Sequence, residues 1–188
     1  MIVYKLIRPI LYIYTKLKYN PKVINNEYIL KKGKCILAGN HTNNKDFLPL
    51  GYSTIRPIRY IAKNELMKGI KKYFFKLIGI VPVDRKIHDK TVIPTAVSIL
   101  NNGEIIGIFP EGTINKTKDI ILPFKKGAIK MAIESNSPII PFAINGKYEK
   151  NKLKIIFDKE YYPKTKDIEK ETLILEEKVK KLIKEVNK

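Results

Sequence analysis

The chain has 188 residues, enough for one domain with a sizeable core and too few for two. With 44% hydrophobic and 29% charged residues it is a folding sequence, and 37 Lys and Arg against 18 acidic residues leave a formal net charge of +19, which implies a polyanionic neighbour: nucleic acid, an anionic membrane surface or phosphorylated substrates. Cys35 is the only cysteine, so an intramolecular disulfide is excluded and a reducing cytosolic setting is expected; no Cys/His cluster has the spacing of a zinc site, and no metal is expected.

The opening stretch, MIVYKLIRPILYIYTKLKY, is neither a signal peptide nor a membrane span: Lys5 and Arg8 interrupt its apolar run and no small-residue cleavage site follows. On a wheel of about 100° per residue, Lys5, Arg8 and Lys16 fall within about 80° of one another, and the remaining faces are Ile, Leu, Val and Tyr. Residues 1–20 are therefore expected to form an amphipathic membrane-associating helix, kinked at Pro9, with its cations toward anionic headgroups and its aliphatic face in the acyl region. Tyr4, Tyr12 and Tyr14 suit such an interface. The alternative is a core-packing helix with its charges at the solvent edge. No other apolar run is long enough to cross a bilayer, so the chain is at most monotopic.

Residues 21–188 alternate between strand and helix patterns. YILKKGKCILAG is expected to form two short strands around a turn at Gly33, ending at a histidine loop; DFLPLGYST begins a short helix with Asp46 near its first turn. PIRYIAK is a strand, ELMKGIKKYFFKLIG a helix with apolar residues at 66, 70, 74 and 77, and IVPV a brief buried strand. TVIPTAVSILNNG is a helix closed by Gly103, and EIIGIFP a central strand. A helix starts near Lys126, SPIIPFAING and KLKIIFD are strands, and residues 167–187 form a charged helix. This order argues for a single α/β domain with a mostly parallel or mixed sheet flanked by helices.

In open α/β sheets, sites form in the loops at the carboxyl ends of strands. Four polar loops occupy that position: NHTNNKD after Ala38, DRK after Val83, PEGT after Phe109 and NGK after Ala143. In the first, His41 precedes a helix whose first turn holds Asp46, so the carboxylate can accept a hydrogen bond from one ring nitrogen and leave the other free to take a proton. An isolated HxxxxD is a weak signal on its own, and a polar turn is the bland alternative. Arg85 has the planar fork that suits a phosphate, or is an exposed basic turn. Glu111 can hold a ligand hydroxyl or pair with Arg85, Gly112 permits close backbone approach, and Thr113 offers a hydroxyl; a plain Pro-Glu-Gly turn is the bland alternative. Lys125 and Lys126 stand at a helix start, where backbone N–H groups also favour anions. His88 reads as a surface histidine.

Four blocks in order, NHTNNKD, GIVPVDR (79–85), IFPEGT (108–113) and PIIPFAI (138–144), resemble the glycerolipid acyltransferase family that includes 1-acylglycerol-3-phosphate acyltransferases; AKNEL (62–66) and FKKGA (124–128) strengthen the likeness. It covers about residues 35–145. The resemblance implies transfer of a fatty acyl group from a thioester of acyl carrier protein or coenzyme A to the free hydroxyl of a lysophospholipid, with no bound cofactor, no metal and no covalent acyl-enzyme. It implies that His41 takes the hydroxyl proton, Asp46 orients His41, Arg85 binds the glycerol phosphate, and Glu111, Gly112 and Thr113 help position the acceptor. It also implies a peripheral or monotopic place on the cytoplasmic face of the cell membrane.

One departure concerns the acceptor. The third block often continues with Arg and Ser, where this chain has Ile114 and Asn115. Lys116, Lys125 or Lys126 could supply the missing cation, or the acceptor could be a different lysolipid. Two further alternatives are a nucleic-acid-binding protein, motivated by the +19 charge and eleven tyrosines but lacking a recognisable motif, and a non-catalytic lipid-surface protein. No nucleic acid is expected as a partner.

Overall fold

The computed structural model describes residues 2–63, 81–83 and 91–188. The predicted helix at 65–79, the DRK loop and His88 lie outside them.

The hydrophobic strands assemble into one seven-stranded sheet, with β1 (Lys22–Ile24), β2 (Cys35–Gly39), β3 (Ile58–Lys63), β4 (Val81–Val83), β5 (Ile105–Ile108), β6 (Ile139–Ile144) and β7 (Lys154–Phe157) ordered β1-β7-β6-β2-β5-β3-β4. All pairings are parallel except β6 with β7, so the sheet is mixed, as expected. At its centre, β2 and β6 are buried along their whole length and read as continuous apolar runs, CILAG and IIPFAI. Alternate residues of β2 point to opposite faces. Ile36 and Ala38 join the core beneath α3 (Val92–Asn101), α4 (Gly127–Ser135) and α5 (Ile168–Val186); Cys35 and Leu37 join a second core with Tyr19, Leu48 and Leu50, on the side of α1 (Ile2–Lys18) and α2 (Phe47–Tyr52). Cys35 is fully buried there and burial pushes its thiol up to about 12, so it is an inert core residue.

Two expectations are corrected. The strand expected at 28–32, just ahead of Gly33, is absent; a 3-10 turn at Asn26–Tyr28 is followed there by irregular chain. The reason is a side chain: the Arg56 guanidinium donates to the carbonyls of Leu30 at 2.8 Å and Gly33 at 2.5 Å, taking acceptors that a ladder would have used. The partner strand is instead the three-residue β1, too short for alternation to reveal it, paired with β7.

The second correction concerns α1, which runs through Pro9. Arg8 does not stand in an outward cationic stripe. Its Nη2 donates to the Thr54 carbonyl at 2.9 Å, Tyr12 stacks on Tyr52 of α2 with centroids 4.5 Å apart, and Thr15 and Tyr19 are buried. Lys5 lies outside the described side chains. Leu6, Ile10, Ile13, Tyr14 and Leu17, which share the opposite side of the helix, are exposed, Leu6 and Leu17 to 68%. Among the described residues, no helix is long and apolar enough to cross a membrane.

Candidate active site

Because β5 and β6 both run parallel to β2, the carboxyl ends of these three strands emerge on one edge of the sheet. Residues 40–46, 109–126 and 145–153 converge there. Asn40 clamps two of the strands: its amide donates to the Ile144 carbonyl at 2.9 Å and accepts from the Ile144 N–H at 2.8 Å. Gly39 is required beside it, since a Cβ would sit 2.4 Å from the Phe142 carbonyl oxygen.

His41 leaves this edge in the loop ahead of α2, and Asp46 occupies the position just before the helix. Asp46 does not cap α2. Its carboxylate turns back into the loop, fully buried, and Oδ2 accepts from His41 Nδ1 at 2.8 Å, from the Thr42 N–H at 2.6 Å and from the Asn43 N–H at 2.9 Å. Oδ1 accepts from the Thr42 hydroxyl at 2.9 Å and from the Tyr148 hydroxyl. Five donors thus converge on this one carboxylate. With a carboxylate oxygen as the acceptor at Nδ1, the ring hydrogen sits on that nitrogen and the lone pair is left on Nε2. The imidazole, 20% exposed, also stacks on Phe109 with centroids 4.3 Å apart.

Glu111 approaches the same histidine through the backbone. Its Oε1 accepts from the His41 N–H at 2.6 Å and its Oε2 from the Leu122 N–H at 2.8 Å, with the side chain buried to 3% exposure. The Asn115 N–H donates to the His41 carbonyl at 2.9 Å. Burial pushes the Glu111 carboxyl above its ordinary value, an effect opposed by the two N–H bonds and by His41. This carboxylate therefore ties the histidine loop to the loop after β5. Arg85, the other partner considered for it, lies outside the described residues.

The remaining sequence candidates separate. Gly112 adopts a left-handed φ of 73°, and a Cβ there would lie 2.8 Å from Lys125 Cε, so the Lys125 side chain crosses directly over this turn. Thr113 is exposed beside it. Lys126 is drawn away to an ion pair with Glu169 of α5. Of the lysines considered as replacements for a cation at position 114, Lys125 is the one that lies against the Glu111–Gly112 turn.

With a His–Asp pair and this turn on one sheet edge, the chain can be set beside known proteins. The Acyltransferase family profile matches residues 20–145, about two thirds of the chain. The chain belongs to this acyltransferase family. The 1-acyl-sn-glycerol-3-phosphate acyltransferase of Bacillus subtilis is 32% identical over 163 residues, 81% of this chain and 79% of that protein. The protein of the same name from Borreliella burgdorferi is 34% identical over 125 residues, 65% of this chain and half of its own length. The crystal structure of the 1-acyl-sn-glycerophosphate acyltransferase PlsC from Thermotoga maritima matches with a TM-score of 0.73 over 89% of this chain and 73% of that one, at 23% identity, a likeness of fold.

Several groups around this candidate site carry no signal in the sequence. Tyr148 and Phe109 reach the dyad from distant segments, and Asn40, although next to His41, bonds Ile144 over a hundred positions away; periodicity or motif spacing carries no signal for such contacts. Thr42 could have been found: a hydroxyl four residues before a buried Asp is within local reach of its carboxylate. Among the described residues, no group of three or more His, Cys, Asp and Glu side chains could hold a metal ion.

Proposed function

We propose that this acyltransferase esterifies the free hydroxyl of a lysophospholipid, 1-acylglycerol 3-phosphate in the first instance, to form phosphatidate. The observation that carries the reading is the bond from His41 Nδ1 to the buried Asp46 carboxylate at 2.8 Å. His41 Nε2 takes the acceptor's hydroxyl proton as its oxygen attacks the thioester carbonyl; the C–S bond then breaks and the thiol leaves with that proton. Asp46 stabilises the imidazolium formed between the two transfers. No acyl-enzyme and no bound cofactor enter this scheme, and the donor is the thioester of acyl carrier protein or coenzyme A.

Glu111 acts in this reading by holding the His41 loop. The phosphate of the acceptor is assigned to Arg85 and Lys125, with Gly112 and Thr113 lining the turn beside it; the names of the Bacillus and Borreliella relatives support the acceptor. We further infer that the enzyme works from the cytoplasmic face of an anionic membrane, held by α1. The exposed aliphatic row Leu6, Ile10, Ile13 and Leu17, with Lys16 and Lys18 exposed nearby, supports this, as does the net charge of +19.

The test is an acyl-transfer assay on anionic vesicles, with labelled acyl carrier protein and acyl coenzyme A donors and a panel of lysolipids, wild type beside His41→Ala. Product from lysophosphatidate that disappears in the variant is expected. Product from another lysolipid alone would keep the mechanism and reassign the acceptor to the change at Ile114. Full activity of a folded His41→Ala protein would end the base assignment. Vesicle flotation of a chain with Leu6, Ile10 and Leu17 changed to Ser is expected to show reduced binding; undiminished binding removes α1 as the anchor.

A further inference from the structure

Tyr148 lies in the connection between β6 and β7, over a hundred positions from the HxxxxD segment, and its hydroxyl donates to Asp46 Oδ1. We propose that Tyr148 is a positioning residue of the acyl-transfer reaction, fixing the Asp46 carboxylate so that Oδ2 faces His41. The inference rests on the reading of His41 as the general base.

Four of the five donors to Asp46 belong to His41, Thr42 and Asn43, the segment that the carboxylate itself organises. These bonds hold the carboxylate to the loop but do not hold the loop to the fold. Among the donors described, Tyr148 alone reaches Asp46 from outside that segment. Oδ1 lies on a side chain with no exposure, so losing the phenol would leave it with the Thr42 hydroxyl as its remaining described donor. A desolvated oxygen short of a donor favours rotation of the carboxylate or entry of water, and either one loosens the ring of His41.

Tyr148 is itself held. Its ring meets the buried Tyr19 ring edge-on, with centroids 5.5 Å apart at 86°. The same loop is bound to the end of α1: the Asn151 N–H donates to the Tyr19 carbonyl at 2.8 Å, and the Asn20 amide donates to Asn151 Oδ1 at 2.8 Å. At its start, Gly146 has a left-handed φ of 70° and packs on Thr42, where a Cβ would come within 3.2 Å. Burial, and then the Asp46 charge, keep the phenol far above its ordinary pKa. It is therefore held in its neutral, donating form toward Asp46.

The decisive variant is Tyr148→Phe, which keeps the ring and its contact with Tyr19. We expect kcat to fall about tenfold to a hundredfold, as when a partner supporting a reacting group is removed, with KM for donor and acceptor within about twofold. The chain has two histidines, so ring-nitrogen-labelled protein, assigned with His88→Gln, reports His41 directly; its Nδ1–H resonance is expected to shift in Tyr148→Phe. In an Asp46→Asn background the same substitution should change kcat by less than about twofold, because the two residues act as one unit. An unchanged kcat and an unmoved His41 resonance would overturn the inference, as would an equal fall persisting in the Asp46→Asn background. A loss confined to melting temperature and KM would mean a purely structural tyrosine and also overturn it. His41→Ala in the same assay separates the two readings: activity there sinks the base assignment and this inference with it, whereas an inactive His41→Ala beside a fully active Tyr148→Phe sinks the inference alone.

Discussion

Asp46 and Glu111 are both buried carboxylates bonded to His41, yet they take hold of opposite ends of it. Asp46 reaches the ring nitrogen and is surrounded by a hydroxyl, a phenol and two amides besides; Glu111 reaches the backbone N–H and bridges to Leu122. In the proposed reaction the first contact is to the ring that gains and loses the proton. The second is indifferent to the ring's charge and belongs to the placement of the loop. Proximity to one histidine therefore does not make two acids equivalent; the atom each one binds distinguishes them.

The largest effect that would sharpen this contrast is expected from Asp46→Asn. Losing the orienting charge should lower turnover on the scale of about 10⁴, since the amide no longer stabilises the imidazolium or enforces the Nδ1–H form. Turnover within tenfold of wild type in the vesicle assay would erase the distinction. Glu111→Gln should separate the other way. One amide oxygen can still accept, but the NH2 then meets a backbone N–H, and unfolding in urea should show about 1–3 kcal/mol of lost stability. If this variant instead loses turnover as severely as Asp46→Asn with unchanged stability, Glu111 belongs to the chemistry.

A pH series tests the same acid more finely. Because burial raises the Glu111 pKa in the folded protein, the folded state holds its proton more tightly than the unfolded chain. The contribution to stability is fully present below the ordinary value of 4.5 and is lost as pH rises through the raised folded value. The stability margin of wild type over Glu111→Gln should thus narrow as pH increases across that window; a margin that widens would reverse the sign. A smaller expected effect is that of Lys125→Met, which should raise KM for a phosphate-bearing acceptor several-fold while leaving KM for the acyl donor unchanged. Equal changes in both constants would remove Lys125 from the phosphate side.

Much of this architecture was legible in the residues. Short apolar runs separated by amphipathic segments identified β2 to β7 and helices α2 to α5, and the parallel order put their loops on one edge. His41 and Asp46 were recognisable as a pair because only five positions separate them, so local chain geometry suffices. Arg56 shows what was not legible: one guanidinium, donating to the Leu30 and Gly33 carbonyls, replaced an expected strand with irregular chain. Its effect depends on a contact 26 residues away, which no local pattern encodes.

The two longest helices among the described residues divide in the same manner. Both α1 and α5 carry apolar residues at helical spacing, but α5 buries Leu175, Val179 and Leu182, whereas α1 turns Leu6, Ile10 and Leu17 outward. Periodicity specifies that such a stripe exists and is silent about what covers it, because that depends on what the rest of the fold offers. By itself, the sequence determined the α/β order, the family and the His–Asp pair, all set by residues close along the chain. Tertiary structure alone decided that Arg8 faces inward, that Lys126 pairs with Glu169, that Glu111 grips a backbone amide and that Tyr148 reaches Asp46. Those outcomes join segments far apart in sequence, and the geometry at each meeting point exists only once the sheet has brought them together.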